Sequence, residues 1–267
     1  MPVAHINGHR MYYEVHGRGP PAICMGGWGT YCHGGERHLA RGLTDRYQTL
    51  IIDYRGLGES SDDPATPATM ALHAQDVIGL LDELRWTNAH VIGLVGMGAC
   101  IGQEVAIERP DLVRSLVNMG AWVRCDSFLA DQLAMFRDIH RDCGFDAFRR
   151  HVCLMSFRPD YYNANRERLL APGGPWQELQ GRYETHARLV EACLRHDTLD
   201  RLGRIRAPTL IIHAGEDIVT GPRVTQALEH GIPGARGVLM GEAAHVVAGR
   251  GQKAEFARHL FSFLEAH

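Results

Sequence analysis

The sequence predicts an α/β fold in which a mostly parallel sheet of eight strands is flanked by helices. Short apolar runs of strand length alternate with longer segments of helical periodicity in the first and last parts of the chain. Between these parts, residues 123–202 contain helix-like segments and no strand signal. The 267 residues suffice for one large domain with an insertion. We therefore predict a core of residues 1–122 and 203–267, interrupted by a helical segment.

The N-terminal part begins with a predicted hairpin, because Asn7-Gly8 separates two strand-like runs. Leucines and valines recur at helical spacing after Met70, and a second helix-like segment ends before Pro110. In chain order, the elements predicted here are strands at 3–6, 10–15, 22–25 and 49–53, a helix at 70–84, a strand at 90–95, a helix at 97–108 and a strand at 113–119.

The rest of the chain changes from helices back to alternation. Helix-like segments cover 128–140, 145–157, 161–170 and 176–196, and Pro172 to Pro175 interrupts them. Asp126, just before the first of these segments, is a predicted helix N-cap. A buried strand then leads to Glu216-Asp217. A helix at 222–230, a short strand at 237–240 and a closing helix at 253–264 follow.

Composition excludes several classes of function. The net charge is −3 with 22% charged residues, so we expect no nucleic-acid partner and no basic membrane-binding tail. No apolar run reaches the length of a membrane span, and the N-terminus lacks a signal-peptide core, so we expect a cytoplasmic protein. The seven cysteines lack C-x-x-C spacing and fit reduced thiols. We expect no cofactor and no metal.

Residues 90–110 carry the most informative pattern in the chain. A short apolar run, a turn containing Gly93, Gly96 and Gly98, and a helix-like segment give the layout of a nucleophile elbow. This stretch contains no serine. Counting back from Pro110 puts the nucleophile position on Gly96, whereas counting forward from Gly93 puts it on Val95. The turn therefore carries one extra residue as well as lacking the nucleophile, and the choice between the two positions stays open.

Together with three other motifs, this stretch resembles the α/β-hydrolase family, and in particular its enol-lactonase-like and esterase-like members. That family has G-x-S-x-G at the elbow and a D-x-R-G-x-G-x-S loop, which here reads DYRGLGES from Asp53 to Ser60. The order of elbow, acid and histidine matches the family at Asp217 and His245. The resemblance covers nearly the whole chain outside 123–202. It implies the α/β-hydrolase fold, with residues 123–202 as a helical cap over the active site.

The resemblance also implies a set of site residues. His245 and Asp217 correspond to the catalytic dyad, and the backbone N–H groups of Trp28 and Met97 correspond to the oxyanion hole. Gly96 is the vacant nucleophile position. Weaker candidates for the pocket wall are Gly27, Tyr31, His33 and Trp122. The loop before Trp28 departs from the family, because its His-Gly reads Gly26-Gly27 here.

Two other interpretations of the elbow are weaker. Glycines 96, 98 and 102 lack the G-x-G-x-x-G spacing of a dinucleotide loop. The run from Gly98 to Gly102 fits G-x-C-x-G and would make Cys100 a nucleophile, but a cysteine one helical turn past the elbow is expected in the core.

Loss of the serine removes the acyl-enzyme route and leaves acid–base chemistry. His245 can activate water, or it can abstract a substrate proton while the oxyanion hole holds an enolate. We expect an enzyme acting on a small carbonyl compound by lactone or carbon–carbon cleavage, elimination or isomerisation. The alternatives are an ordinary ester or lactone hydrolase with water or Cys100 as nucleophile, and a non-catalytic ligand-binding protein. The sequence does not indicate the substrate or the oligomeric state.

Overall fold

The computed structural model describes residues 2–29 and 31–267 and contains one eight-stranded sheet. The strand order is β1-β2-β4-β3-β5-β6-β7-β8, and β2 runs antiparallel to β1 and β4 while all later pairs are parallel. This confirms the predicted fold class. The strands are β1 Val3–Ile6, β2 His9–His16, β3 Pro21–Met25, β4 Gln48–Ile52, β5 Ala89–Leu94, β6 Val113–Met119, β7 Thr209–Ala214 and β8 Arg236–Met240.

Nine α-helices lie in the described part of the chain. They are α1 Leu43–Arg46, α2 Met70–Glu83, α3 Met97–Glu108, α4 Ser127–Cys143, α5 Phe145–Ser156, α6 Pro159–Leu170, α7 Tyr183–Leu194, α8 Pro222–Gly231 and α9 Arg250–Leu264. Short 3-10 turns cover Gly35–His38, Pro110–Leu112, Gln177–Leu179 and Leu199–Arg204. Within the described ranges, no helix is both long and apolar enough to cross a lipid bilayer.

Both faces of the sheet are buried, which explains why its central strands are continuous apolar runs. Ile23 belongs to one apolar cluster, with α2 and α3, while its neighbours Ala22 and Cys24 belong to a second cluster, with α1 and α9. Alternate residues of a strand point to opposite faces, so the two clusters mark the two faces.

In chain order, helices α4 to α7 follow β6 and precede β7. The sequence predicted helices without strands in this part of the chain. Asp126 caps α4, since its Oδ1 accepts a hydrogen bond of 2.8 Å from the N–H of Leu129. The division into a separate core and cap stays a prediction, and we use "cap segment" for residues 123–202.

One element of the cap segment differs from expectation. A single helix was predicted for 176–196, but α7 begins only at Tyr183. Trp176 (φ 60°) and Gly181 (φ 72°) both adopt left-handed backbone conformations, which end the helical path. Trp176 lines the cavity at the candidate site.

Candidate active site

The predicted site residues follow four parallel strands and lie at one edge of the sheet. Trp28 follows β3, the elbow follows β5, Asp217 follows β7 and His245 follows β8. Because these strands are parallel, their carboxyl ends lie at the same edge, where ligands bind in open α/β sheets. Some residues of the cap segment line the cavity at this edge.

Asp217 and His245 lie within hydrogen-bonding distance. His245 Nδ1 is 2.9 Å from Asp217 Oδ2, and the Asp217 carboxylate is almost fully buried. Burial opposes ionisation of Asp217, but the nearby His245 charge and hydrogen bonds from His245, Thr220 N–H and Val219 N–H outweigh it and hold its pKa below the usual value. An ionised Asp217 fixes the His245 tautomer and leaves Nε2 free to accept a proton.

Thr220 contacts both Asp217 and His245, and it was not predicted from the sequence as a site residue. Its hydroxyl lies 3.0 Å from Asp217 Oδ2 and 2.9 Å from His245 Nδ1. Asp217 Oδ1 also accepts the N–H groups of Val219 and Thr220, each at 2.8 Å. A threonine three residues after an aspartate is the local signal that points to such a turn, in which the acid bonds its own downstream backbone.

The elbow turn contains two successive residues with positive φ. Val95 has φ 54° and Gly96 has φ 75°, and α3 begins directly afterwards at Met97. Both sequence counts therefore fall on the turn. Positive φ is unfavourable for a β-branched residue, and strain of this kind is found most often at functional sites.

Small residues let the elbow approach the neighbouring loop. A Cβ on Gly98 would lie 2.3 Å from the Met25 carbonyl oxygen, and one on Gly27 would lie 2.7 Å from the Val95 carbonyl oxygen. Any side chain there would separate α3 from β3 or move the Gly26-Gly27 loop. The glycines thus hold the loop that bears Trp28 against the start of α3.

Trp28 and Met97 line the same cavity as His245. Met97 is the first residue of α3, so its N–H has no partner within the helix and is available to an oxyanion. The Trp28 ring donates from Nε1 to Cys193 Sγ at 3.4 Å and meets Phe136 edge-on. These contacts with the cap segment fix the position of Trp28 on its glycine-rich loop.

The cavity has about 420 Å³ of space not filled by protein atoms, including its mouth. Its walls are largely apolar, and no arginine, lysine, aspartate or glutamate is among the described residues that line it. The lining consists of Gly27, Trp28, Val95, Gly96, Met97, Trp122, Leu133, Phe136, Val152, Ser156, Trp176, Cys193, Val219, Thr220 and His245. A neutral ligand of modest size suits such a site better than an ion.

Trp122 occupies part of the space beside Gly96. A Cβ built on Gly96 would lie only 3.2 Å from Trp122 Cζ3. The Trp122 carbonyl is held by Gln103 Nε2 at 3.1 Å and by Cys100 Sγ at 3.8 Å. The space expected at the missing serine is therefore bounded by an aromatic edge on that side.

Two weaker candidates lie outside the cavity. Tyr31 is not among the described residues that line the cavity, because its ring packs over Gly26 and against the cluster that contains α9. His33 binds Asp53 instead, with 2.7 Å between Nε2 and Oδ2. Spacing alone does not predict which way a loop residue turns. Gly27 and Trp122 are among the residues that line the cavity.

Cys100 is fully buried in α3, and the described cavity lining does not include it. Burial raises the pKa of its thiol well above the ordinary value, which disfavours the reactive thiolate.

One group of potential metal ligands lies among the described residues. Glu14, His16 and Glu36 have ligand atoms within 4.8 Å of one another. None of the three lines the cavity, and Glu14 is already bound to His16 at 2.8 Å. This cluster has no part in the site around His245.

A family model described as the alpha/beta hydrolase fold matches residues 20–249. The chain belongs to the α/β-hydrolase family. Among curated members, RutD of Azorhizobium caulinodans, which is named as a carbamate hydrolase, is 31% identical over 245 residues, which is 92% of this chain and 91% of its own. RutD of Stutzerimonas stutzeri has the same name and is 29% identical over 246 residues, which is 88% of this chain and 89% of its own.

Solved α/β hydrolases superpose over nearly the whole chain. The enol-lactonase from Burkholderia xenovorans LB400 has a TM-score of 0.84 and 25% identity, covering 99% of this chain and 100% of its own. A hydrolase from Pseudomonas aeruginosa PA01 gives the same TM-score of 0.84 with 25% identity and coverage of 98% and 97%. The predicted family and fold are thereby confirmed.

Proposed function

We propose that this α/β hydrolase is a small-molecule enzyme that works without a covalent nucleophile on a neutral carbonyl substrate. His245 acts as the general base, Asp217 orients it, and the N–H groups of Trp28 and Met97 hold the developing oxyanion. The supporting observation is the 2.9 Å contact between His245 and Asp217 beside a cavity that Gly96, Trp28 and Met97 also line.

Two reactions follow from these groups. His245 Nε2 can take a proton from a water molecule that attacks an ester or lactone carbonyl. It can also take a proton from a carbon next to a carbonyl, which gives an enolate for elimination, isomerisation or carbon–carbon cleavage. A positioned histidine contributes roughly 10²–10⁴-fold to the rate, and one oxyanion donor about 10²–10³-fold. These contributions suit an activated substrate such as a lactone, and not a plain amide.

The apolar cavity limits the choice of substrate. The names of the relatives include enol-lactonase and carbamate hydrolase. A lactone or a carbamate ester is neutral and matches the lining, whereas an anionic carbamate would meet no cationic side chain among the described residues. Burying a charge without a partner is costly. We therefore favour hydrolysis of a lactone or ester by His245-activated water.

A ligand-binding protein without turnover is the second candidate. It is favoured by the Trp122 ring, which occupies part of the space beside Gly96. The intact contacts among Asp217, Thr220 and His245 favour catalysis, because binding an apolar ligand does not require an oriented imidazole.

The experiment compares wild-type protein with His245→Ala on δ-valerolactone, dihydrocoumarin and phenyl acetate. We expect turnover of at least one compound, lowered at least 10²-fold by His245→Ala with the fold retained by circular dichroism. His230→Ala is the matched control, since His230 is exposed on α8. Gly96→Ser is expected not to raise turnover, because its Cβ would meet Trp122. Full activity in His245→Ala would contradict the proposal, and binding without turnover would favour the second candidate.

A further inference from the structure

Ser156, a residue of the cap segment that lines the cavity, has a hydroxyl without a partner among the described residues. It is the last residue of α5, and its side chain is fully buried. Its Oγ has no hydrogen-bond partner among the described residues. Serines in helices commonly bond the carbonyl four residues earlier, so a free hydroxyl at this position is unusual.

The Ser156 backbone is tied to the residue that follows the catalytic histidine. The N–H of Val246 donates to the Ser156 carbonyl at 2.9 Å. Ser156 and His245 also line the same cavity. The end of α5 therefore has a fixed position relative to His245, although it comes from a different part of the fold.

Two other polar side chains of the cavity lining are already engaged. Thr220 is bound to Asp217 and His245, and the Trp28 indole N–H is bound to Cys193. Trp122 Nε1 also has no hydrogen-bond partner among the described residues, but the edge of this ring that faces Gly96 consists of Cζ3 and Cη2, on the side opposite Nε1. The Ser156 hydroxyl is therefore a group without a protein partner that can bind a second polar group on a ligand whose carbonyl faces His245.

We propose that Ser156 is a specificity-determining residue that hydrogen-bonds a second oxygen of the substrate. The inference rests on the proposed function and narrows it. The preferred substrates are neutral compounds with two oxygen functions, such as lactones and esters that carry a further ether, hydroxyl or carbonyl oxygen. A hydroxyl that has only the ligand as its partner favours such compounds over isosteres that carry a methylene there, because the isostere leaves the buried hydroxyl unpaired.

The test uses unreactive isosteres, so that it does not depend on turnover. Cyclohexanone has one oxygen, whereas tetrahydropyran-4-one and tetrahydropyran-3-one each have a ring oxygen in place of a methylene. Dissociation constants are measured by ligand-observed NMR titration. We expect wild-type protein to bind at least one ring ether about 3- to 10-fold more tightly than cyclohexanone. Ser156→Ala should abolish this preference and leave the cyclohexanone affinity unchanged.

Thermal unfolding distinguishes this role from a structural one. If Ser156 Oγ has no protein partner, Ser156→Ala leaves the Tm unchanged or raises it, whereas loss of a structural hydrogen bond lowers it. Ser127→Ala, at an exposed serine on α4, is the control and should change neither Tm nor affinity.

The proposal would be overturned if wild-type protein showed no preference for a ring ether over cyclohexanone, or bound none of the ketones detectably. A ring-ether preference that persists in Ser156→Ala would overturn it, and so would a clear fall in the Tm of that variant. Fluorophosphonate labelling mapped to Ser156 would also overturn it, because Ser156 would then be a nucleophile. Activity that persists in His245→Ala while the isostere preference behaves as expected would contradict only the proposed function.

Discussion

Val95 and Gly96 together occupy the turn where a hydrolase of this family carries its nucleophile. Neither side chain has a nucleophilic atom, and the positive φ at both positions shows that the sharp turn is retained. The retained turn keeps the Met97 N–H at the start of α3 beside the cavity. This position is what the proposed role of the Met97 N–H as an oxyanion donor requires.

Cys100 allows a direct check that the covalent route is absent. We expect Cys100→Ala to change turnover less than twofold, because the sulfur is buried and the described cavity lining does not include it. Loss of its packing should lower the free energy of unfolding by about 1 kcal/mol. The measurements are steady-state kinetics and urea unfolding. Rapid modification of Cys100 by iodoacetamide, together with lost turnover in the variant, would restore cysteine as a nucleophile.

Asp217 predicts a dependence of stability on acid. Its folded-state pKa is lowered from 3.8, so the stabilisation is present above about pH 4 and is lost as the pH falls through the lower, folded value. Asp217→Asn removes this titration. We therefore expect wild-type protein to lose more stability than Asp217→Asn between pH 5 and pH 3, measured by urea midpoints at each pH. An identical loss in both proteins would show that Asp217 is not held ionised.

At the scale of secondary-structure elements, one buried ion pair joins the loop after β4 to α2. Arg55 lies in the loop after β4, and its Nε and Nη2 donate to Asp76 of α2 at 2.6 and 2.8 Å. Both side chains are nearly inaccessible, with exposed fractions of 4% and 3%. Removing one partner would leave the other charge buried and unpaired.

We expect Asp76→Asn to lower the free energy of unfolding by about 3–5 kcal/mol. Asp142→Asn is the control, because Asp142 pairs with Arg141 at the surface and surface pairs contribute about 0–1 kcal/mol. Both are measured by urea unfolding at pH 7. Equal effects for the two variants would show that the buried pair does not anchor α2.

The cap segment shares an apolar cluster with the sheet and α3, and polar contacts add to it. Arg188 of α7 reaches Asp62 at 2.9 Å, and Thr198 Oγ1 reaches Gln103 of α3 at 2.6 Å. Gln103 also holds the Trp122 carbonyl. The position of Trp122 beside Gly96 therefore depends on the cap segment as well as on the sheet.

For the whole molecule, hydrophobic pattern predicted the fold well. Central strands such as β5 are buried on both faces and read as short, mostly apolar runs, so the number of strands and their order along the chain could be predicted. The family resemblance supplied Asp217 and His245, which the structure brings together at 2.9 Å.

Other parts of the site could not be predicted from pattern. Ser156 lies on a helix far along the chain from His245, and only the folded structure reveals that its hydroxyl is unpartnered. The orientation of Tyr31 and the break between Trp176 and Tyr183 depend on left-handed backbone positions and on packing. Periodicity carries no information about either.

The central claim is that turnover proceeds without an acyl-enzyme. Intact-protein mass spectrometry tests it most directly, on wild-type enzyme quenched during turnover of phenyl acetate and after incubation with a fluorophosphonate. We expect one species of unmodified mass in both samples, with turnover abolished in His245→Ala. An acetyl or phosphonyl adduct approaching one per chain, on any serine or on Cys100, would contradict it.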